Sequence, residues 1–267
     1  MLTLYHAPTA VCAAKVRMVL AEKELAYDGH LLNLHTGDQF KPEYMKLNPN
    51  AVVPTLIHDG HILIESTVIN EYLDEAFTDK PLRPAGALGH AHVRLWTKKE
   101  DTIHDAINTM TASIVFRHEL MQKPPEERAA RYAKIPDPAK RAKWEKMMAD
   151  GLDAAVVHEA LIRFIRHFRD MEKALDKGPW LVGEQFTLAD AGLLSFFYRL
   201  EFLSCAGLWR DHFPKVTDWY ERSKGRPAFQ TAIAGFIPPG DQEKYAGISA
   251  PLWPKVKAAN AKAMSSI

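Results

Sequence analysis

The chain has 267 residues, of which 47% are hydrophobic and 25% charged. This composition excludes global disorder and supplies apolar side chains for one or two cored domains. With 34 basic against 33 acidic residues the formal net charge is +1, which lacks the basic excess of a dedicated nucleic-acid binder. No apolar run reaches the ~20 residues of a membrane helix. The two cysteines, Cys12 and Cys205, are too few for a disulfide scaffold. The opening Met1-Leu-Thr-Leu-Tyr5 has no signal-peptide pattern. Together these features predict a cytoplasmic protein without nucleic-acid or membrane partners.

Leu2–Tyr5 reads as a strand. Ala13–Glu24 carries Val16, Val19 and Leu20 at helical spacing, and Tyr27–Leu34 reads as a second strand. The intervening helix is long enough for a parallel crossover, which makes a βαβ unit. A short helix over Lys41–Leu47 precedes the turn residues Asn48-Pro49-Asn50. Thr55–Ile64 contains two apolar strands meeting at Asp59-Gly60, a hairpin signal. Ser66–Phe77 closes the segment as a helix with Val68, Ile69, Tyr72, Leu73 and Phe77 on one side. The order βαβ, short helix, ββα describes a small mixed sheet covered by helices.

Strand patterning stops at the Pro- and Gly-containing linker 78–86, read as a domain boundary. Gly86–Leu120 has a helical pattern. Val157, Leu161, Phe164, Phe168, Met171 and Leu175 form one helical face, ended by Lys177-Gly178-Pro179. Thr187 and Asp190 fit a capping box, in which the Thr187 hydroxyl accepts from the N–H three residues on and Asp190 reaches back. Phe186 and Leu194 are the candidate staple around it. Pro214 opens a further helix that runs to Gly225. Between Gln122 and Lys146 lie eight basic and four acidic residues. Pro124, Pro125, Pro136 and Pro138 interrupt helix continuity there. A solvated insertion is expected, with a basic docking surface as the alternative. The last thirty residues, with Pro238-Pro239-Gly240 and Pro251, read as an irregular tail. The resulting division is 1–80, 87–235 and a tail over 236–267.

Three places carry chemistry. Pro54 in Val52-Val53-Pro54 is either a strand-entry residue or a cis proline. A cis turn there would leave the Val53 N–H and C=O unpaired and open to an extended peptide. Ser66 is either a simple helix cap or part of an anion site at a helix start, suited to a carboxylate. Glu65 beside it suits an ammonium group, so one amino-acid end would satisfy both. At the turn into the first helix, Cys12 reads as a nucleophile or as buried core, and Thr9 as a hydrogen-bond donor to a bound thiolate. The pairs His58/His61 and His90/His92 lack a third ligand at metal spacing, so no metal is expected. Arg163, Arg166, His167 and Arg169 fall mostly outside the apolar stripe, which predicts a solvated face.

The run Asn48-Pro49, Val53-Pro54-Thr-Leu, Asp59-Gly60, Ile64-Glu65-Ser66, Ile69, Tyr72-Leu73 resembles the glutathione-binding half of the glutathione transferase family. Trp180-Leu-Val-Gly183, Phe186-Thr-Leu-Ala-Asp190, Phe213-Pro, Trp219 and Arg226-Pro-Ala resemble its carboxyl half. The resemblance covers roughly residues 2–232. It implies an α/β thioredoxin-like domain over 1–80 and an all-helical domain over 87–235, a homodimer, and glutathione as cosubstrate. It further implies that Val53 and Pro54 meet the cysteinyl backbone and Glu65 and Ser66 the γ-glutamyl end. Gln39 and Lys41 are then placed near the glycyl carboxylate. The activating position departs from the serine pattern, leaving Thr9, Cys12 and Tyr5 as alternatives. The implied function is attack of glutathione on a small hydrophobic electrophile, as in detoxification. His92–Lys98, the 123–141 stretch and Glu65-Ser-Thr-Val-Ile resemble, more loosely, bacterial members that cleave β-aryl ethers. A thiol–disulfide reductase using Cys12, or a ligand-binding relative without activity, are the alternatives.

Overall fold

The computed structural model describes residues 1–133, 135 and 137–267; Pro136, expected above to interrupt a helix, lies outside the described residues. Strand β1 (Leu2–His6) buries Leu2, Leu4 and His6 and leaves Thr3 and Tyr5 partly exposed, the two-residue period of a strand. It leads into α1 (Val11–Glu22) and the edge strand β2 (Asp28–Leu31), which runs parallel to β1 with His6 opposite Leu31. After α2 (Pro42–Met45), β3 (Thr55–His58) pairs antiparallel with β1, Tyr5 opposite Thr55. Then β4 (His61–Ile64) pairs with β3, Ile64 opposite Thr55, and α3 (Ser66–Ala76) follows. Asp59 and Gly60 both have positive φ, 48° and 84°, the conformation of a type I′ hairpin turn. The strand order is β2-β1-β3-β4. This is the thioredoxin-like βαβ-α-ββα layout expected.

The buried side of α3 differs from the expected one. Ile69 and Leu73 are buried, but Val68 is exposed, and Asn70 and Asp74 are buried instead. Asp74 accepts from Lys23 Nζ at 2.9 Å, Arg83 Nε at 2.7 Å and the Leu82 N–H at 2.7 Å. A carboxylate with three donors can sit inside, and this one pins the segment after α3.

The remainder is helical: α4 (Gly86–Thr111), a π-helical turn (Ala112–Phe116), α5 (Arg117–Met121), α6 (Pro125–Ala133), α7 (Pro138–Asp150), α8 (Ala155–Ala174), α9 (Leu188–Phe202), α10 (Gly207–Arg210), α11 (Pro214–Lys224), α12 (Pro227–Ala232), α13 (Asp241–Ser249) and α14 (Trp253–Met264). Two expectations are corrected here. Pro125 and Pro138 start helices rather than break them, because the first helical residue needs no N–H partner; α7 then buries Met147 and Met148. The last thirty residues are ordered helices, not an irregular tail. Tyr245, Val256 and Ala263 are buried, and the Tyr245 ring lies 4.7 Å from that of Phe202. The apolar stripe of α8 is buried as expected, although His167, assigned to the solvated face, is buried with it.

Asp190 reaches back as a capping residue. It accepts from the Thr187 N–H and the Thr187 hydroxyl, both at 2.9 Å. The hydroxyl therefore donates to the carboxylate rather than accepting from the backbone. The same carboxylate takes the Leu181 N–H at 3.0 Å and Trp219 Nε1 at 2.8 Å. Phe186 packs edge-on against Trp180 at 5.0 Å and under the Arg226 guanidinium. The described residues form two compact units, one of 1–100, 174–197 and 218–239, the other of 101–173, 198–217 and 240–267.

Candidate functional site

The sheet register gathers the candidate residues. The end of β1, the entry to β3 and the exit from β4 share one row, Tyr5–Thr55–Ile64, and the parallel β2 ends beside them. The turn into α1, the Val53-Pro54 segment, the start of α3 and the segment after β2 therefore all leave the same edge.

Helix α1 has no side-chain cap bond at its N-cap residue. Its N-cap residue is Ala10, with no side-chain oxygen to offer, and its first turn holds no acid. The first N–H groups of such a helix carry partial positive charge and favour an anion. Thr9 precedes this cap and Cys12 is the second helical residue; both are partly exposed, and Cys12 is not in a disulfide. Tyr5 is packed differently. Its ring stacks on His30 with centroids 4.7 Å apart and tilts against Tyr44 at 5.7 Å.

Beneath the turn lies a group that the sequence reading missed. Arg17 is 1% exposed. It donates to the carbonyls of Ala7 at 3.1 Å, Pro8 at 2.9 Å and Ala232 at 2.7 Å. It lies 3.2 Å from His6 Nδ1 and stacks on Phe236 at 4.1 Å. Burial lowers its pKa to about 10, so it stays charged at neutral pH and fixes the segment before Thr9. Burial first, and Arg17 second, lower the pKa of His6 to about 4, so His6 is neutral and accepts.

The Val53-Pro54 peptide bond is cis. Among the described residues the Val53 N–H and C=O make no hydrogen bond within the chain. The neighbouring carbonyl of Val52 is taken by Tyr44 Oη at 2.5 Å and Asn48 Nδ2 at 2.9 Å. Val53 belongs to an apolar cluster with Ala7, Ala13, Leu32 and Tyr44, against which Tyr5, Ala10 and Leu47 pack. The structure thus brings the Val53 backbone to the start of α1.

Helix α3 also begins without a side-chain cap. Glu65, exposed, occupies its N-cap with φ 68°, a conformation that costs a non-glycine residue ~1–3 kcal/mol and is found at functional sites. Ser66 is 8% exposed, yet its hydroxyl makes no hydrogen bond to any described residue. A hydroxyl without a partner among the described residues, beside the first N–H groups of a helix, suits a carboxylate. The sequence left Ser66 as either a simple helix cap or part of an anion site; Glu65 occupies the N-cap and Ser66 is the first residue of α3.

Gln39 and Lys41 follow β2. Gln39 is half-buried; its Nε2 lies 3.5 Å from the Leu34 carbonyl and its Oε1 is buried with no partner among the described residues. Lys41 is exposed and paired with Asp38 at 2.8 Å. The edge thus offers two helix starts without a side-chain cap, an open backbone pair at Val53 and a serine beside a glutamate, groups that could hold a thiolate, an extended peptide and an amino-acid end.

The model of the glutathione S-transferase N-terminal domain matches residues 1–75, and that of the C-terminal domain matches 154–222, together just over half the chain. A tetrachloro-p-hydroquinone reductive dehalogenase of Sphingobium chlorophenolicum is 26% identical, covering 86% of this chain and 94% of its own. Glutathione S-transferase 3 of Zea mays is 29% identical over 89% and 96%. The crystal structure of the beta-etherase LigF from a Sphingobium strain superposes with a TM-score of 0.73 at 26% identity, covering 86% of this chain and 98% of that one. The chain belongs to the glutathione S-transferase family, whose cosubstrate is glutathione.

Proposed function

We propose that this glutathione transferase ionises the glutathione thiol at the start of α1 and directs it at a hydrophobic aromatic electrophile, with a β-aryl ether as the leading candidate. The observation that carries the reading is the pair of uncapped helix starts, α1 and α3, on one sheet edge, flanking the open Val53 backbone. One suits a thiolate and the other a carboxylate, as a single tripeptide requires. A free thiol near pKa 8.5 is only a few per cent ionised at neutral pH. The α1 N–H groups and a hydroxyl from Thr9 would lower that value by hydrogen bonding to the anion. Val53 holds the cysteinyl backbone, Glu65 the ammonium and Ser66 the γ-glutamyl carboxylate, while Gln39 and Lys41 lie toward the glycyl end. Residues 1–80 are assigned the glutathione role and 87–235 the electrophile role.

In the ether reaction the sulfur forms a bond to the carbon bearing the aryloxy group. The C–O bond breaks, and the electron pair leaves with the phenolate, which takes a proton from solvent. The similarity to LigF and to the reductive dehalogenase supports an aromatic electrophile. The test is a product screen with glutathione and aryl ethers, aryl halides or glutathione mixed disulfides. The reading expects a thioether and one equivalent of phenol from an aryl ether. Turnover of mixed disulfides alone, abolished in Cys12→Ala, would replace it with a thiol–disulfide reductase.

A further inference from the structure

Lys15 and Glu100 form an ion pair with side chains 3% and 1% exposed. Buried pairs of this kind add little to stability over an apolar replacement, because both ions lose their hydration. The fold nevertheless makes room for it. A Cβ on Gly192 would collide with the Glu100 carboxylate, so α9 carries a glycine where α4 points a charge. The Lys15 ammonium also lies 5.6 Å from the centre of the Phe196 ring.

The same ammonium donates to Thr67 Oγ1 at 3.0 Å. An ammonium only donates, so the Thr67 oxygen is the acceptor and its own hydrogen must go elsewhere. A threonine inside a helix returns that hydrogen to the carbonyl three or four residues back. Thr67 is in the first turn of α3, where no helical carbonyl precedes it. Among the described residues the Thr67 hydroxyl has no acceptor. It is partly exposed and adjoins Ser66 at the uncapped start of the helix.

We propose that Lys15 is a positioning residue that holds the Thr67 hydroxyl as a donor to the γ-glutamyl carboxylate of glutathione, with Glu100 fixing the ammonium in place. This rests on the assignment of that carboxylate to the α3 start. The charge-assisted bond it adds is made to the bound cosubstrate and not to the electrophile, so its loss raises the glutathione KM and leaves kcat unchanged.

The test compares glutathione with an analogue whose γ-glutamyl carboxylate is replaced by hydrogen, titrated calorimetrically into wild type, Thr67→Val, Thr67→Ser and the neutral pair Lys15→Met/Glu100→Gln. Thr67→Val and the neutral pair are expected to bind glutathione about tenfold more weakly, to bind the analogue within twofold of wild type, and to keep the wild-type kcat. Thr67→Ser keeps wild-type affinity for both. Equal weakening toward both ligands, or none in Thr67→Val, would overturn the proposal while leaving the glutathione reading intact. The neutral pair removes both buried charges at once, and Thr67→Val leaves the pair untouched, so loss of folding in one does not remove the other. A wild-type protein that binds glutathione and the analogue equally would instead reject the carboxylate assignment, and the proposal with it.

Discussion

At the α1 start three side chains are within the chemistry expected of the thiol, and their surroundings separate them. Tyr5 is stacked on His30 and tilted against Tyr44, whereas Thr9 precedes the first turn of α1 and Cys12 lies within it. A β-branched Thr9 has restricted rotamers, so the backbone N–H groups share the task. We predict that Thr9→Ala moves the pH profile of glutathione turnover to higher pH, that Tyr5→Phe leaves it in place, and that Cys12→Ala alters disulfide exchange but not conjugation. An unmoved profile in all three would leave the helix start as the thiolate's main support. His6 gives a separate prediction about stability. The unfolded chain takes up the proton near pH 6.5, the folded chain only near 4. The unfolded state therefore binds more protons in that window. Stability is complete above it and declines as the pH falls through it, by roughly 3 kcal/mol. Denaturant midpoints measured from pH 7 to 4 should show this slope in the wild type and a shallower one in His6→Gln. Parallel slopes would place the acid sensitivity elsewhere.

Single elements carry more of the fold than their propensities show. Asp190 gathers four donors from Leu181, Thr187 and Trp219, so Asp190→Ala leaves them without an acceptor. A loss of about 3–5 kcal/mol is expected, read as a lower denaturant midpoint at unchanged m-value; a change under 1 kcal/mol would mean that water replaces the carboxylate. This element was legible in advance because a capping box is a local pattern, as are the Asp59-Gly60 turn and the α8 stripe. What stayed hidden depends on partners distant in sequence. Arg17 meets Ala232 and Phe236, Lys15 meets Glu100, and Asp74 meets Lys23 and Arg83; no period in α1 or α3 marks these positions. Likewise Pro125 and Pro138 look like breakers in isolation, and only their place at helix starts makes them tolerable. Ser66 was found from its position after Glu65, but its missing partner is visible only in three dimensions.

For the whole molecule, α13 and α14 extend well past the last helix that the sequence patterning predicts. Lys255 pairs with Asp153 at 2.6 Å and Lys257 with Asp211 at 2.8 Å, while Trp253 occupies the space that a side chain at Gly207 would need. Deleting residues 241–267 is expected to lower the thermal midpoint by several degrees, because buried Tyr245 and Val256 are lost with them. The homodimer remains a proposal from the family resemblance, and light scattering at micromolar concentration should give a mass near twice the 30.1 kDa of the chain. A monomer mass would reject a stable interface of standard size. Bound at this sheet edge, glutathione is expected to be a thiolate. Calorimetric titration of glutathione at pH 7 in buffers of different ionisation enthalpy counts the protons released on binding. Saturable binding with close to one proton released is expected, and no proton release with S-methylglutathione. Saturable binding of glutathione without proton release, or no saturable heat, would rule out a bound thiolate.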